Sequence, residues 1–342
     1  MRTKLVTIII FFLGFNISAQ VRTKYPDIPR IDVHTHVVNN YNGIEKYLEL
    51  RKHMLDEYST DLAMWINLGG GNNPIRNTDS ITLVSKNRML CTIADYDPFH
   101  GLKYKPEDLK NLKKEGFIGY KIWYGPWYRR LKEGEKGFPY VDDPANEPMF
   151  AKMEELGILA TSIHIADPNG PINNRTKWCA DPVEYWKEIT AFHHVLQKHP
   201  DLKVVAAHAS WLICQDAQID YLRFLLSAYP NFNIDLAATF QYFNLVSHEN
   251  LRDFMIEYAD RILFGTDAGT WASADETKNR AQAYNRAFRI LETDEMVEGS
   301  FFSNKPIQGL NLPRDVLEKI YCKNAIRIYP RIAQSMHTLN YN

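Results

Sequence analysis

The sequence predicts a single-domain α/β fold, a (β/α)8 TIM barrel, on three observations. Short apolar or β-branched runs that end in Gly, Pro or polar residues alternate with helical patterns along the chain, which argues for a parallel sheet. Eight such units in about 240 residues match a closed barrel better than an open doubly wound sheet. The fingerprints of the open-sheet alternatives are missing: no G-x-G-x-x-G follows the first run, and Gly69-Gly70-Gly71 lacks the lysine of a P-loop.

The predicted strands are, in order, 30–36 (RIDVHTH), 61–68 (DLAMWINL), 89–95 (MLCTIAD), 118–124 (IGYKIWY), 158–166 (ILATSIHIA), 203–210 (KVVAAHAS), 233–238 (NIDLAA) and 261–267 (RILFGTD). Helical patterns separate them at 43–58, 105–115, 146–156, 182–198, 216–228, 248–259 and 275–292, with a weaker one after Thr78. Pro106, Pro182 and Pro313 stand near helix starts, where a missing N–H costs nothing. Gly116 and Gly157 follow helical runs, as left-handed caps do. A last helix over 313–321 is expected to cover one end of the barrel.

Residues 1–20 read as an export signal. Arg2 and Lys4 give a positive start, Leu5–Phe15 is almost entirely apolar, and Ser18-Ala19-Gln20 offers small residues for cleavage after Ala19 or after Gln20. The apolar run is shorter than the ~20 residues a bilayer span needs. The mature protein is therefore expected to carry no membrane span and to work in the periplasm or outside the cell. The barrel domain is expected over 28–332, with 333–342 as a C-terminal tail.

With 45% hydrophobic and 24% charged residues in 342, disorder is out. A formal charge of −1 without a long Lys/Arg run gives a nucleic-acid partner no electrostatic support. Cys91, Cys179, Cys214 and Cys322 are far apart with no C-x-x-C, so they read as buried small apolar side chains rather than a zinc site.

The informative residues stand at strand C-termini, where barrels of this kind build active sites. His34 and His36 close the first strand, His164 the fifth, His208 the sixth and Asp267 the eighth. Residues two apart on a strand share a face, so both imidazoles of H-x-H can meet one point at the mouth. Asp267, on a G-T-D turn, can aim its carboxylate inward. Each feature alone has a bland reading, as a core or surface histidine or a common turn; their joint placement points to a metal. Imidazole nitrogen and carboxylate oxygen suit zinc, manganese or iron(II), with a position left open for water or substrate.

The strand-end motifs D-V-H-T-H, S-I-H, V-V-A-A-H-A-S and I-L-F-G-T-D-A, with G-F-I-G-Y-K-I and a closing L-E-K-I-Y-C-K-N-A-I-R-I-Y, resemble the amidohydrolase superfamily. The branch is amidohydrolase 2, which contains aminocarboxymuconate semialdehyde decarboxylase and related lactonases and hydratases. The resemblance implies His34, His36, His164 and Asp267 as ligands of one divalent ion, zinc first and manganese second. It implies for His208 a catalytic part beside Asp267, activating water or moving a proton; in other superfamily members that histidine binds a second metal. Lys121 matches the carboxylated lysine that bridges two metals in binuclear members, yet lies in a stretch this branch carries without the bridge. It stands as a structural or substrate-facing residue, with a second-metal role as the alternative.

The function so implied is an exported metal-dependent hydrolase that cleaves a C–O (lactone or ester) or C–N bond of a small cyclic or aromatic substrate. The alternatives are a metal-dependent decarboxylase or hydratase on the same scaffold and, from another class, a non-catalytic exported metal-binding protein. Barrels of this branch often pair, so a homodimer is one expected assembly. Trp65, Trp123, Trp127, Trp211 and Trp271 lie near strand ends or just beyond, either as stacking surfaces for the substrate or as a packed apolar mouth. Arg129 and Arg175 lie in long loops, where they grip a substrate carboxylate or are simply solvated.

Overall fold

The computed structural model describes residues 23–37, 43–69, 88–95, 104–124, 139–168, 182–269, 275–299 and 305–341. The expected export signal lies outside them, as do Trp127, Arg129, Arg175, Trp271 and Cys179.

The barrel strands are β1 (Ile31–His36), β2 (Met64–Asn67), β3 (Met89–Cys91), β4 (Ile93–Asp95), β5 (Tyr120–Trp123), β6 (Ala160–His164), β7 (Val204–Ala206), β8 (Phe232–Asp235), β9 (Ile262–Leu263) and β10 (Ala268–Gly269). All pair in parallel, in two sheets of order β10-β1-β2-β3 and β4-β5-β6-β7-β8-β9. The sheets share chain at both ends. Thr92 alone separates β3 from β4, and its N–H still donates to Asn67 O at 2.9 Å. Between β9 and β10, Phe264 O accepts from Val33 N (3.0 Å), and Asp267 N donates to His34 O (2.9 Å). The eight predicted strands thus occur in the predicted order around a (β/α)8 ring, completed at two irregular joints rather than by an unbroken ladder.

Helices Gly43–Tyr58, Pro182–Lys198, Asp216–Ala228 and Asp275–Glu292 have the predicted bounds. Gly157 ends helix Glu147–Leu156 at φ 59°, the left-handed conformation that carries no Cβ penalty in glycine. Strand alternation sorts the core into two sets. Trp65, Met89, Ile122, Ile163, Val204 and Ile234 pack outward beneath the helices. Ile31, Val33, Met64, Ile66, Val205 and Leu263 pack on the other side with Cys322, Ala325, Tyr329, Ile332 and Met336 of the C-terminal helices, which plug the barrel floor.

That plug differs from the expected single helix at 313–321. Arg314–Glu318 runs through a π turn at Lys319–Lys323 into Asn324–Ile328. Widening the ladder there leaves Ile320 O free to accept from Phe264 N at 2.9 Å, which ties the plug to the end of β9. A further helix, Ile332–Thr338, occupies much of the stretch read as a tail. Ile332 and Met336, four apart on one face, are buried against the apolar floor. An antiparallel pair, β11 (Met296–Val297) and β12 (Ile307–Gln308), also escaped the sequence reading.

Arg30 leads into β1 and forms a buried ion pair with Glu292 at 2.8 Å. Its guanidinium lies over the rings of Phe288 (4.8 Å) and Tyr321 (5.1 Å). Cys91, Cys214 and Cys322 are buried, as small apolar side chains should be. Among the described residues, no helix is long and apolar enough to cross a membrane.

Candidate metal centre

Backbone irregularities at the strand ends aim the site. Strict alternation would put His34 on the side of Asp32, whose carboxylate faces the helix layer and accepts from Tyr284 and Thr266 hydroxyls. The β1–β2 register slips between Asp32 and Thr35, as bulges do at barrel rims, and His34 turns inward. Asp32 Oδ1 holds that bend by accepting from His34 N at 2.9 Å. In β6 the register slips on both sides of Ser162, which sits at φ 53°. Its hydroxyl lands 3.0 Å from Lys121 Nζ and 3.1 Å from His34 Nδ1.

Beyond β7 the chain makes a left-handed turn of four non-glycine residues, His208 to Trp211, at φ 56°, 51°, 52° and 57°. Such backbone costs about 1–2 kcal/mol per residue. Asp235 Oδ1 helps hold it by accepting from His208 N at 2.9 Å. On the opposite wall, a Cβ on Gly265 would meet His34 Cβ at 3.0 Å, so the turn that brings in Asp267 needs glycine to pass His34.

Partners on the far ring nitrogens set the tautomers. Carbonyl and carboxylate oxygens only accept. His36 Nδ1 therefore donates to Gly69 O (2.7 Å), His34 Nδ1 to Asp235 Oδ2 (2.9 Å) and His208 Nδ1 to Ala237 O (2.8 Å). With His208 neutral, its Nε2 accepts from His164 Nδ1 at 3.1 Å. That leaves the His164 lone pair on Nε2, an atom buried with no hydrogen-bond partner among the described residues.

His34 Nε2 and His36 Nε2 turn toward Asp267 Oδ1, at 3.3 and 3.1 Å. Two lone pairs against a carboxylate oxygen repel unless a cation or proton lies between them. Burial would raise the Asp267 carboxyl, but the two imidazoles outweigh it and hold it well below the usual carboxylate range. Burial alone would lower His34, yet Asp235 and then Asp267 raise it. The point between these three side chains therefore calls for positive charge. Their ligand atoms all lie within 4.8 Å of one another. His164 is outside that tight trio and is linked to it through His208; its Nε2, 3.9 Å from Asp167 Oδ1, is the fourth donor available. Three imidazole nitrogens and a carboxylate fit a divalent zinc or manganese ion.

His34, His208 and Asp235 form a second group within the same reach. Asp235 is already committed there, to His34 Nδ1, His208 N and Ala237 N. It orients His34 from behind rather than offering a free ligand. Lys121 is buried, pushed down to about 8 by that burial, and donates to Ser162 O (3.3 Å) and Oγ (3.0 Å). Burial, then the His164 and His34 charges, holds His208 well below the ordinary histidine value.

Trp123 packs against the His164 ring at 5.4 Å and Trp211 stacks on His208 at 4.6 Å and 17°. Trp65 corrects the expectation of a pocket residue. It is buried against Tyr47 of the first helix at 4.5 Å, because its strand neighbours Met64 and Ile66 take the inner face. Asp235 and Ser162 were missed. A lone acid inside the apolar run N-I-D-L-A-A was the available signal for Asp235; Ser162 had none.

The sequence profile of the amidohydrolase family matches residues 84–331. No protein of curated function matches the sequence. Solved structures with the same fold include an uncharacterised TIM-barrel protein from Bordetella bronchiseptica, at 18% identity over 86% of this chain and 85% of that one, TM-score 0.52. Dihydroorotase from Campylobacter jejuni matches at 14% identity, 88% and 82% coverage and TM-score 0.51. The 5-carboxyvanillate decarboxylase from Novosphingobium aromaticivorans, complexed with manganese and 4-hydroxy-3-methoxy-5-nitrobenzoic acid, matches at 12% identity, 90% and 98% coverage and TM-score 0.50.

Proposed function

We propose, from the premise that this chain belongs to the amidohydrolase family, that it is an exported metal-dependent hydrolase cleaving a C–O (lactone or ester) or C–N bond of a small cyclic or aromatic substrate. The family supports a metal-dependent enzyme; the reaction and the export are our reading. One observation carries it: the Nε2 atoms of His34 and His36 face Asp267 Oδ1 with their Nδ1 atoms tied back.

His34, His36, His164 and Asp267 would hold the ion, zinc as first choice and manganese as second. When bound, such an ion polarises a substrate oxygen and lowers the pKa of water toward ~7. Asp267 then accepts the proton of the attacking water. His208, oriented by the Nδ1–H it donates to Ala237 O, would take up that proton on its unprotonated Nε2 and pass it to the leaving group. Trp123 beside His164 closes one side of the mouth with an apolar wall.

The test is turnover of lactones, esters and amides by metal-loaded protein, with CO₂ release followed in parallel on cyclic and aromatic acids. Hydrolysis that stops on chelation and returns with zinc or manganese is the expected result. CO₂ release without hydrolysis would replace this reaction with decarboxylation. A metal-replete protein that turns over nothing would leave a binding protein. Export predicts a mature chain that begins at Gln20 or Val21 by mass spectrometry.

A further inference from the structure

Trp211 has a ring face and an N–H, and the two have separate fates. The indole lies flat on the His208 imidazole, 4.6 Å between centroids at 17°, and meets Tyr242 edge-on at 5.5 Å. It also stands 6.4 Å from the ring of His164. That stacked face is therefore closed to a substrate ring. The Nε1–H is a different matter: it is buried and has no hydrogen-bond partner among the described residues, in a side chain only 6% exposed. Indole N–H can only donate, and buried donors in folded proteins are paired as a rule. The left-handed turn from His208 to Trp211 keeps this indole beside the rings of His208 and His164 despite the strain of four non-glycine residues at positive φ.

We propose that Trp211 determines specificity by donating its Nε1–H to an anionic oxygen, a carboxylate or phenolate, of the substrate at the metal centre. The inference rests on the metal-dependent reading above. It makes the substrate a small acid, and it makes the stack on His208 the device that positions the donor. An uncharged substrate of the same shape gains less from this contact, because hydrogen bonds to charged acceptors are the stronger ones.

The probe is benzoate, with benzamide as its uncharged counterpart, titrated into zinc-loaded protein carrying ¹⁵N-indole tryptophan. Benzoate should bind saturably and move the Trp211 indole proton downfield. Trp211→Phe keeps an aromatic ring on His208 but lacks the donor. It should weaken benzoate by about 10- to 100-fold, the worth of a hydrogen bond to a charged group, and leave benzamide within about twofold and the zinc content unchanged. The wild-type shift needs no variant and stands even if Trp211→Phe folds poorly. Absence of saturable benzoate binding, an unmoved indole proton, or wild-type benzoate affinity in Trp211→Phe would each overturn the role of Trp211. Wild-type protein that takes up no zinc would instead overturn the reading beneath it.

Discussion

Asp235→Asn is the sharpest perturbation the site offers, because it changes a group that is not itself one of the four proposed ligands. Asp235 is fully buried and accepts three hydrogen bonds: His34 Nδ1 at 2.9 Å, His208 N at 2.9 Å and Ala237 N at 3.1 Å. Asparagine keeps the shape and one oxygen. If that oxygen stays on the two backbone N–H groups, the new NH₂ faces His34 Nδ1–H, donor against donor. His34 then prefers the other tautomer, with its proton on the Nε2 that faces Asp267. Losing such a carboxylate behind a ligating histidine costs about 10- to 100-fold in metal affinity, or about 1.4–2.7 kcal/mol. Apoprotein titrated with zinc against a chromogenic chelator measures it directly. A zinc Kd within about threefold of wild type, under about 0.7 kcal/mol, would refute the tautomer reasoning.

Three further outcomes follow. His208→Ala should keep its metal and lose about 10²- to 10⁴-fold in turnover, the usual worth of a positioned acid–base group; loss of the metal would make His208 a ligand. Glu292→Ala strands the Arg30 guanidinium and removes the acceptor of Lys24 N and Tyr321 OH, so urea unfolding should show a loss of about 3–5 kcal/mol. Lys121 is held near 8 in the fold against 10.5 when free, so the unfolded chain binds more protons between these values and metal-free protein should gain stability as pH rises through that window, by about 3 kcal/mol. Lys121→Met should abolish the rise, and a parallel rise in the variant would remove Lys121 as its cause.

Much of the fold could be read from the residues because helix period and strand alternation leave marks in sequence. The helix at 216–228 shows it: Ile219, Leu222, Leu225 and Leu226 fall on one buried stripe. The site was legible at His34, His36 and Asp267, three residues that the fold brings together at one end of β1 and the turn before β10. The devices that aim them were not. Bulges at Asp32–Thr35 and around Ser162 follow from pairing between distant strands, and no local motif announces them. The turn at His208 contains no glycine, the residue that would have signalled positive φ. Trp65 was misplaced because alternation tells which residues share a face but not which face is the pocket. The helix at Ile332–Thr338 is short, and its burial depends on a barrel floor that only the assembled strands provide.

The central claim is that His34, His36, His164 and Asp267 gather one divalent ion. Elemental analysis of the mature protein after equilibration with zinc or manganese and dialysis tests it most directly, alongside His34→Ala, His36→Ala, His164→Ala and Asp267→Ala. One tightly held ion per chain is predicted for the wild type, with loss in each variant, because each removes a bond to the metal. A wild type that retains no ion, or ligand variants that retain it in full, would contradict the assignment.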